Sequence, residues 1–152
     1  MRIKTKPYGE IEVSERQKLY FPEGIIGFEG IHYYYLIDSR EGPFYWLQAE
    51  HCPELAFLLI DPRIFMEGYH LKVPNSELRS IGVESESDII DFAIVTVPRD
   101  PSRISANLMG PIIINKKTRL AKQTISEKSE YGVKHPILDE LKKTKDHLVE
   151  TR

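Results

Sequence analysis

The 152-residue chain contains one cysteine, one tryptophan and no long hydrophobic run. Because Cys52 has no second cysteine to pair with, an internal disulfide bond is excluded, as is typical of proteins in a reducing compartment. The longest apolar runs, such as LAFLLI, have the length of a strand and are too short for a helix to cross a bilayer. The first residues, MRIKTKPYGE, do not lead into the apolar segment of a secretory signal. We therefore expect a cytoplasmic protein without a membrane partner.

Motifs for catalysis and metal binding are also scarce. GxSxG and HExxH are absent, and the histidines show neither an i, i+4 pair nor a nearby cysteine pair, so no zinc site is expected. Neighbours in an extended segment face opposite sides, so a small buried side chain explains Cys52 better than a nucleophile beside His51 does. Asp38, Asp61 and Asp91 could serve in an acid–base pair, but no spacing singles them out. We expect neither a metal nor a cofactor.

The stretch FPEGIIGFEG, residues 21–30, has a glycine at every third position and raises the question of a phosphate-binding loop. Such a loop needs its glycines between a strand and a helix, usually with a Lys-Ser/Thr pair. Here the intervening side chains are apolar, the one charge is negative and the next segment has the pattern of a strand. We interpret the stretch as a tight turn in which glycines supply positive φ, with Ile26 and Phe28 buried in the core.

Short strands dominate the predicted secondary structure. Apolar or alternating runs separated by turn signals predict roughly eight to ten of them. The runs are RIKTK, EIEVS, KLYF, IHYYYLID, FYWLQA, ELAFLLID, YHLKV, IIDFAIVTV, PIIIN and LAKQTI. The first two predict a hairpin, FYWLQA and ELAFLLID should pair, and the fully apolar AFLLI and FAIVTV should be covered on both faces. Helical signals are confined to NSELRSIG and to HPILDELKKTKDHLVE, which follows the strands.

This pattern indicates a mainly β fold. We expect a single-domain antiparallel β-barrel or sandwich with one or two short helices. The barrel domain should span residues 1–137, and residues 138–152 should form a basic C-terminal helix or a flexible tail. No internal repeat or domain linker is visible.

Charge is distributed unevenly along the chain. Residues 1–115 carry 11 basic and 17 acidic groups, whereas residues 116–152 carry 10 basic and 6 acidic groups. An acidic body repels phosphate backbones and attracts a basic partner, so we expect no direct binding of nucleic acid. The run ESESDIID, residues 84–91, is acidic without a base, and it lacks the glycine and the distal glutamate of a calcium loop. It predicts a solvated loop or, alternatively, a docking patch for a basic partner.

Several blocks of the sequence together resemble the FliW family of flagellar assembly factors. FPEGIIGFEG, YWLQAEHCPELAFLLIDP, VTVP with SANLMGPIIIN, and QTI with YGVKHPI occur in the family's order, from about residue 2 to residue 137. The resemblance implies a non-enzymatic bacterial regulator with a mainly antiparallel β-barrel. It also implies two partners in the cytoplasm, flagellin and CsrA, a small basic RNA-binding translational repressor. Export of flagellin would free the factor to remove CsrA from flagellin mRNA, so that translation resumes.

Charge suggests where CsrA would bind. CsrA must be positive where it holds RNA, and an acidic protein docked beside that site lowers its potential and repels phosphates. Our candidate contacts are therefore Glu84, Glu86 and Asp88. Electrostatic association of this kind should weaken as salt is added.

A second group of candidate contacts is Asn107, Leu108 and Met109, which could form an apolar element for a partner. The alternative is that Asn107 bonds its own backbone in a turn and that Leu108 packs in the core. Flagellin presents amphipathic terminal helices, so its contact should be an apolar groove or a strand edge, which the sequence does not locate.

The competing function is that of a small-ligand binder or enzyme that uses the mouth of a β-barrel as its pocket. Such a pocket needs ionisable groups that converge on one point. No such set is evident in the sequence, so we favour the protein-binding regulator.

Overall fold

The structure is a computed structural model that describes residues 1–143. Its strands and helices are β1 (Arg2–Thr5), β2 (Gly9–Glu12), β3 (Lys18–Tyr20), β4 (Tyr33–Asp38), β5 (Phe44–Ala49), β6 (Ala56–Ile60), α1 (Asn75–Ser80), β7 (Ile89–Thr96), β8 (Ser105–Asn115), β9 (Ala121–Gln123), β10 (His135–Pro136) and α2, which includes residues 138–143. The remainder of the predicted C-terminal segment, residues 144–152, lies outside the described residues.

One antiparallel sheet contains all strands except the β1–β2 hairpin. Its order is β10-β8-β7-β6-β5-β4-β3, and β9 pairs with the second half of β8. The sheet curves until its two ends meet, where the Tyr20 N–H donates to the Arg119 carbonyl at 3.0 Å and Tyr20 bridges to Leu120. The predicted antiparallel β-barrel is confirmed, as is the pairing of FYWLQA (β5) with AFLLI (β6).

Both faces of the sheet are covered by hydrophobic side chains. Along β6, Leu59 belongs to the inner core cluster that fills the barrel, and Ile60 belongs to an outer core cluster. Residues 62–74 and 131–137, together with α2, supply the side chains that cover the outer core cluster. Their main contributors are Phe65, Tyr69, Tyr131, Ile137 and Leu141. The predicted two-sided coverage of AFLLI and FAIVTV is therefore confirmed.

The β1–β2 hairpin packs on the outside of the barrel. Ile3 and Val13 contact Tyr35 and Ile37, the outward-facing side chains of β4. Because Tyr34 and Leu36 pack in the barrel, β4 is also apolar on both sides. The run YYYLI thus has the composition that a doubly covered strand requires.

The predicted strand YHLKV does not form, although the predicted helix NSELRSIG does. Residues 69–73 have no ladder partner. Tyr69 instead stacks on Tyr131 with ring centroids 5.2 Å apart, and the His70 N–H donates to the Tyr131 hydroxyl at 3.0 Å. Burial of alternate side chains produced the strand-like pattern, but the segment covers a sheet face instead of extending an edge.

Candidate partner-binding surface

The glycine-rich stretch folds into a tight turn that projects apolar side chains outwards. Gly24 has φ +67°, and a Cβ there would lie 2.6 Å from the Glu29 Cα, so only glycine fits. The Phe28 N–H closes the turn on the Ile25 carbonyl at 2.6 Å. The prediction of a turn is correct, but the burial of Ile26 and Phe28 is wrong. Ile25 takes the inward position, and the turn leaves Ile26 60% and Phe28 40% exposed.

Gln123 of β9 fixes this turn to the neighbouring strand. Its Oε1 accepts from the Ile26 N–H at 3.1 Å, and its Nε2 donates to the Gly110 carbonyl at 3.0 Å. A Cβ at Gly110 would lie 2.8 Å from that nitrogen, so a larger residue there would displace the end of the Gln123 side chain. Buried Lys122 supports the same region by pairing with Glu23 at 2.8 Å.

The residues of the second predicted contact group differ in exposure: Asn107 is half-buried, Leu108 is buried and Met109 is exposed. Asn107 Oδ1 accepts from the Met109 and Gly110 N–H groups at 3.0 and 2.9 Å, which is the turn described by the alternative interpretation. Leu108 is fully buried in the outer core cluster, so its side chain does not reach the surface. Met109 is 39% exposed and alone of the three offers an apolar side chain to a partner.

Met109 belongs to an exposed apolar groove. We define the apolar groove by the exposed side chains of Ile26, Met109, Ile125 and Val133, which line a cavity of about 340 Å³ above Gln123. None of the residues that line the cavity is ionisable. Exposed apolar side chains are common singly, but a group of them around one depression is typical of an interaction site. The sequence did not indicate this groove because its four side chains come from separate segments that only the fold brings together.

The acidic loop, residues 84–88, has two free carboxylates and one structural carboxylate. The Ser85 hydroxyl accepts from the Ser87 N–H and begins a turn that the sequence SESD favours. Glu84 and Glu86 are exposed and form no ion pair with any residue in the described range 1–143. Asp88 is buried and lies 3.6 Å from Lys117 Nζ. Two of the three predicted contacts therefore face solvent, and Asp88 joins the loop to the β8–β9 turn.

The structure keeps the acidic loop and the apolar groove apart. The acidic loop precedes Ile89, which pairs with Asn115, whereas Asn107 beside the groove pairs with Ile94. At about 3.3 Å per residue, the two positions are roughly 16 Å apart along the strand. The molecule thus has two separate candidate surfaces instead of one composite site.

A third feature is a charged cluster on the outer face of β7. Arg63 donates to Asp61 Oδ1 at 3.0 Å and to Asp91 Oδ1 at 2.9 Å, and its guanidinium lies 5.2 Å from the centre of the Tyr69 ring. Burial raises the pKa of the Asp91 carboxyl, although the nearby Arg63 acts in the opposite direction. The spacing of these residues in the sequence did not indicate the cluster, because Asp61 and Asp91 are connected only through their hydrogen bonds to Arg63.

Three properties of the described residues bear on catalysis, metal binding and membrane insertion. The hydrogen bond from Cys52 Sγ to Glu54 raises the pKa of the thiol, which disfavours the thiolate. In residues 1–143, no group of three or more His, Cys, Asp or Glu side chains could hold a metal ion. Over the same range no helix has the length and apolar character to span a bilayer.

Comparisons with known proteins cover nearly the whole barrel. A family model described as FliW protein matches residues 2–137. The flagellar assembly factor FliW of Treponema denticola is 43% identical over 141 residues, which cover 93% of this chain and 96% of that protein. The flagellar assembly factor FliW of Thermoanaerobacter pseudethanolicus is 42% identical over 144 residues, with 93% and 96% covered. A solved chain described as the crystal structure of the flagellar assembly factor FliW superposes with a TM-score of 0.83, at 34% identity, over 90% of this chain and 96% of that chain.

Proposed function

This chain belongs to the FliW family of flagellar assembly factors, and on that premise we propose that it binds flagellin and the translational repressor CsrA in the cytoplasm. Flagellin and CsrA would occupy it alternately. When flagellin is exported, the freed protein would bind CsrA and lift the repression of flagellin translation. It would act by occupying surfaces and would catalyse no reaction.

The observation that carries this proposal is the apolar groove. Ile26, Met109, Ile125 and Val133 are exposed around one depression whose lining is free of ionisable groups. A groove of this kind suits the apolar face of an amphipathic helix, such as those at the flagellin termini, and offers little to a reacting small molecule. The surrounding turn is held by Gln123, so the groove exists before a partner arrives and little ordering entropy is lost on binding.

CsrA would bind elsewhere, at the acidic loop. Glu84 and Glu86 project into solvent from a body with an excess of six acidic groups in residues 1–115. Opposite charge accelerates association, and a negative body held beside an RNA site disfavours RNA. Because the two candidate surfaces are separate, competition between the partners would require that the bound partners overlap in volume or alter the sheet between the surfaces.

The proposal is tested with purified partners. The chain should retain flagellin and CsrA in separate pull-downs. Salt raised from 50 mM to 500 mM should weaken the CsrA complex and leave the flagellin complex nearly unchanged, because salt screens charge and not apolar contact. Failure to retain either protein, or co-purification of a small molecule that the chain transforms, would favour the alternative of a ligand-binding or enzymatic barrel.

A further inference from the structure

A cavity of about 730 Å³ lies beside the acidic loop, and apart from Glu86 its lining belongs to neither candidate surface. Residues 69–75 form one wall, and Ile89 and Asp91 of β7 form another. Glu86 of the acidic loop also lines it. The cavity is therefore continuous with the surface proposed for the basic partner.

Asp91, which lines this cavity, has a carboxylate oxygen without a hydrogen-bond partner. Asp91 is only 6% exposed, and its Oδ1 accepts from Arg63. Its Oδ2 is buried and accepts no hydrogen bond from any described residue. Arg63 does not compensate Asp91 fully because it also bonds Asp61. A buried carboxylate oxygen with no donor is costly and calls for an explanation.

The remaining lining favours a cation. Glu86 and Glu127 are exposed at the cavity. Among the described residues, the lysine and arginine side chains that line it are Lys72 and Arg63. With Asp91 and the adjoining Asp61, acidic groups outnumber basic ones. Leu71, Val73 and Leu78 supply apolar walls on which the methylene stem of a long basic side chain can lie.

We propose that this cavity receives an arginine side chain of the basic partner, whose guanidinium donates to the Asp91 carboxylate in the cavity wall and to Glu86 at the rim. Arginine fits better than lysine because its planar group carries five donors and can serve two carboxylates at once. The choice of CsrA as the protein that supplies this arginine rests on the proposed function. The assignment of the cavity as an arginine-binding site does not depend on that function.

The first experiment tests the cavity without a protein partner. N-acetyl-L-arginine amide is titrated into the labelled full chain and followed by NMR, with N-acetyl-L-citrulline amide as the uncharged control of the same shape. The arginine compound should produce saturable shifts at the amides of residues 69–73 and 89–91, and the citrulline compound should not. Absence of shifts, or equal shifts with both compounds, would overturn the proposal.

The second experiment measures CsrA affinity in variants. Asp91→Asn keeps the shape and should weaken CsrA binding about tenfold or more, because a charged hydrogen bond is lost, with flagellin affinity unchanged. Glu86→Gln should weaken CsrA binding more than Glu84→Gln, which removes the same charge from the same loop but does not line the cavity. Wild-type CsrA affinity in folded Asp91→Asn, or equal losses for the two glutamates, would overturn the proposal.

The outcomes separate the two proposals. If Asp91→Asn does not show a cooperative unfolding transition, the comparison of CsrA affinity between Glu86→Gln and Glu84→Gln tests the cavity assignment instead. If the wild-type chain does not bind CsrA at all, the proposed function fails, and the arginine titration still decides whether the cavity is a guanidinium site. If CsrA binds equally to all folded variants, only the cavity assignment fails.

Discussion

The apolar groove and the acidic loop border the same pair of strands, β7 and β8, yet they are built in opposite ways. The groove consists of exposed hydrocarbon side chains, one of which, Ile26, lies on a turn fixed by glycine geometry and by Gln123. The acidic loop consists of carboxylates on a single turn, of which Asp88 is held by Lys117 and Glu84 and Glu86 are free. The first surface can select a partner by shape and depends little on salt. The second can select by charge and mainly governs the rate of encounter. If the proposed function is correct, a substitution at one surface should therefore change the binding of one partner and spare that of the other.

The largest effect should come from placing charge in the groove. The double variant Ile26→Asp/Val133→Asp should weaken flagellin binding by about a hundredfold or more, because burying an unpaired carboxylate against an apolar helix is costly. CsrA binding should stay within about twofold of wild type. Isothermal titration with each partner measures both.

The matched control for this variant is Val97→Asp, which places a carboxylate at another valine of similar exposure outside the groove. It should bind flagellin as the wild type does. Equal losses at both sites would mean that the groove is not the flagellin site.

The next effect concerns the turn that forms one wall of the groove. Gly24→Ala should lower the free energy of unfolding by about 2 kcal/mol or more, since its Cβ meets the Glu29 backbone at 2.6 Å in addition to the cost of positive φ. Gly9→Ala has the same φ of +67° with no atom within 4 Å, so it should lose only the smaller conformational cost, about 1 kcal/mol. Urea denaturation measures the difference. Similar losses for both variants would show that the close approach at Gly24 is relieved by movement of the turn.

A smaller effect is expected from reversing charge on the acidic loop. Glu84→Lys/Glu86→Lys should slow CsrA association about tenfold at low salt, with little change in the presence of 500 mM salt. Asp88 is left intact because its pair with Lys117 supports the loop. Stopped-flow measurement provides the rates.

The control for charge reversal is Glu41→Lys/Glu67→Lys, which makes the same change in net charge at exposed positions away from the acidic loop. If this control slows association equally, the overall charge governs the encounter and the loop has no special part. In either case flagellin affinity should not change.

The smallest effect is a pH dependence of stability that arises at Asp91 and should be absent from binding at the apolar groove. Burial raises the pKa of Asp91 in the folded protein above its unfolded value, so the folded state binds the proton more tightly. Below the pKa that Asp91 has in the unfolded chain, the buried charge does not reduce the free energy of unfolding. Above the raised pKa of the folded protein, the reduction is complete. The stability of the wild type relative to Asp91→Asn should therefore rise as pH falls through this window, as measured by urea denaturation. Flagellin affinity, in a groove without ionisable lining, should not follow this curve.

Most of the fold could be predicted because apolar periodicity and turn residues report local structure. The strand pairs β1–β2 and β5–β6 and helix α1 follow from such patterns. The prediction of a strand at YHLKV was wrong because the alternation of its apolar residues reflects packing on a sheet face. Periodicity does not distinguish such packing from hydrogen bonding at a sheet edge.

The candidate sites could be predicted only in part. Exposed Glu84 and Glu86 are visible as a run of charge, whereas the outward direction of Ile26 depends on the φ angles of the neighbouring glycines. Asp91 and Arg63 are 28 residues apart, and only the packing of residues 62–74 on β7 brings them together. Long-range contacts of this kind leave no spacing in the sequence.

The side chain of Gln123 joins the turn at Ile26 to β8 at Gly110, which are the two banks of the apolar groove. An amide is needed for this link, because one end must accept and the other must donate. An ionised glutamate at this position would have no donor for the Gly110 carbonyl. A hydrocarbon side chain would form neither hydrogen bond. The carboxamide of Gln123 thus acts as a spacer between the two backbone segments that border the groove.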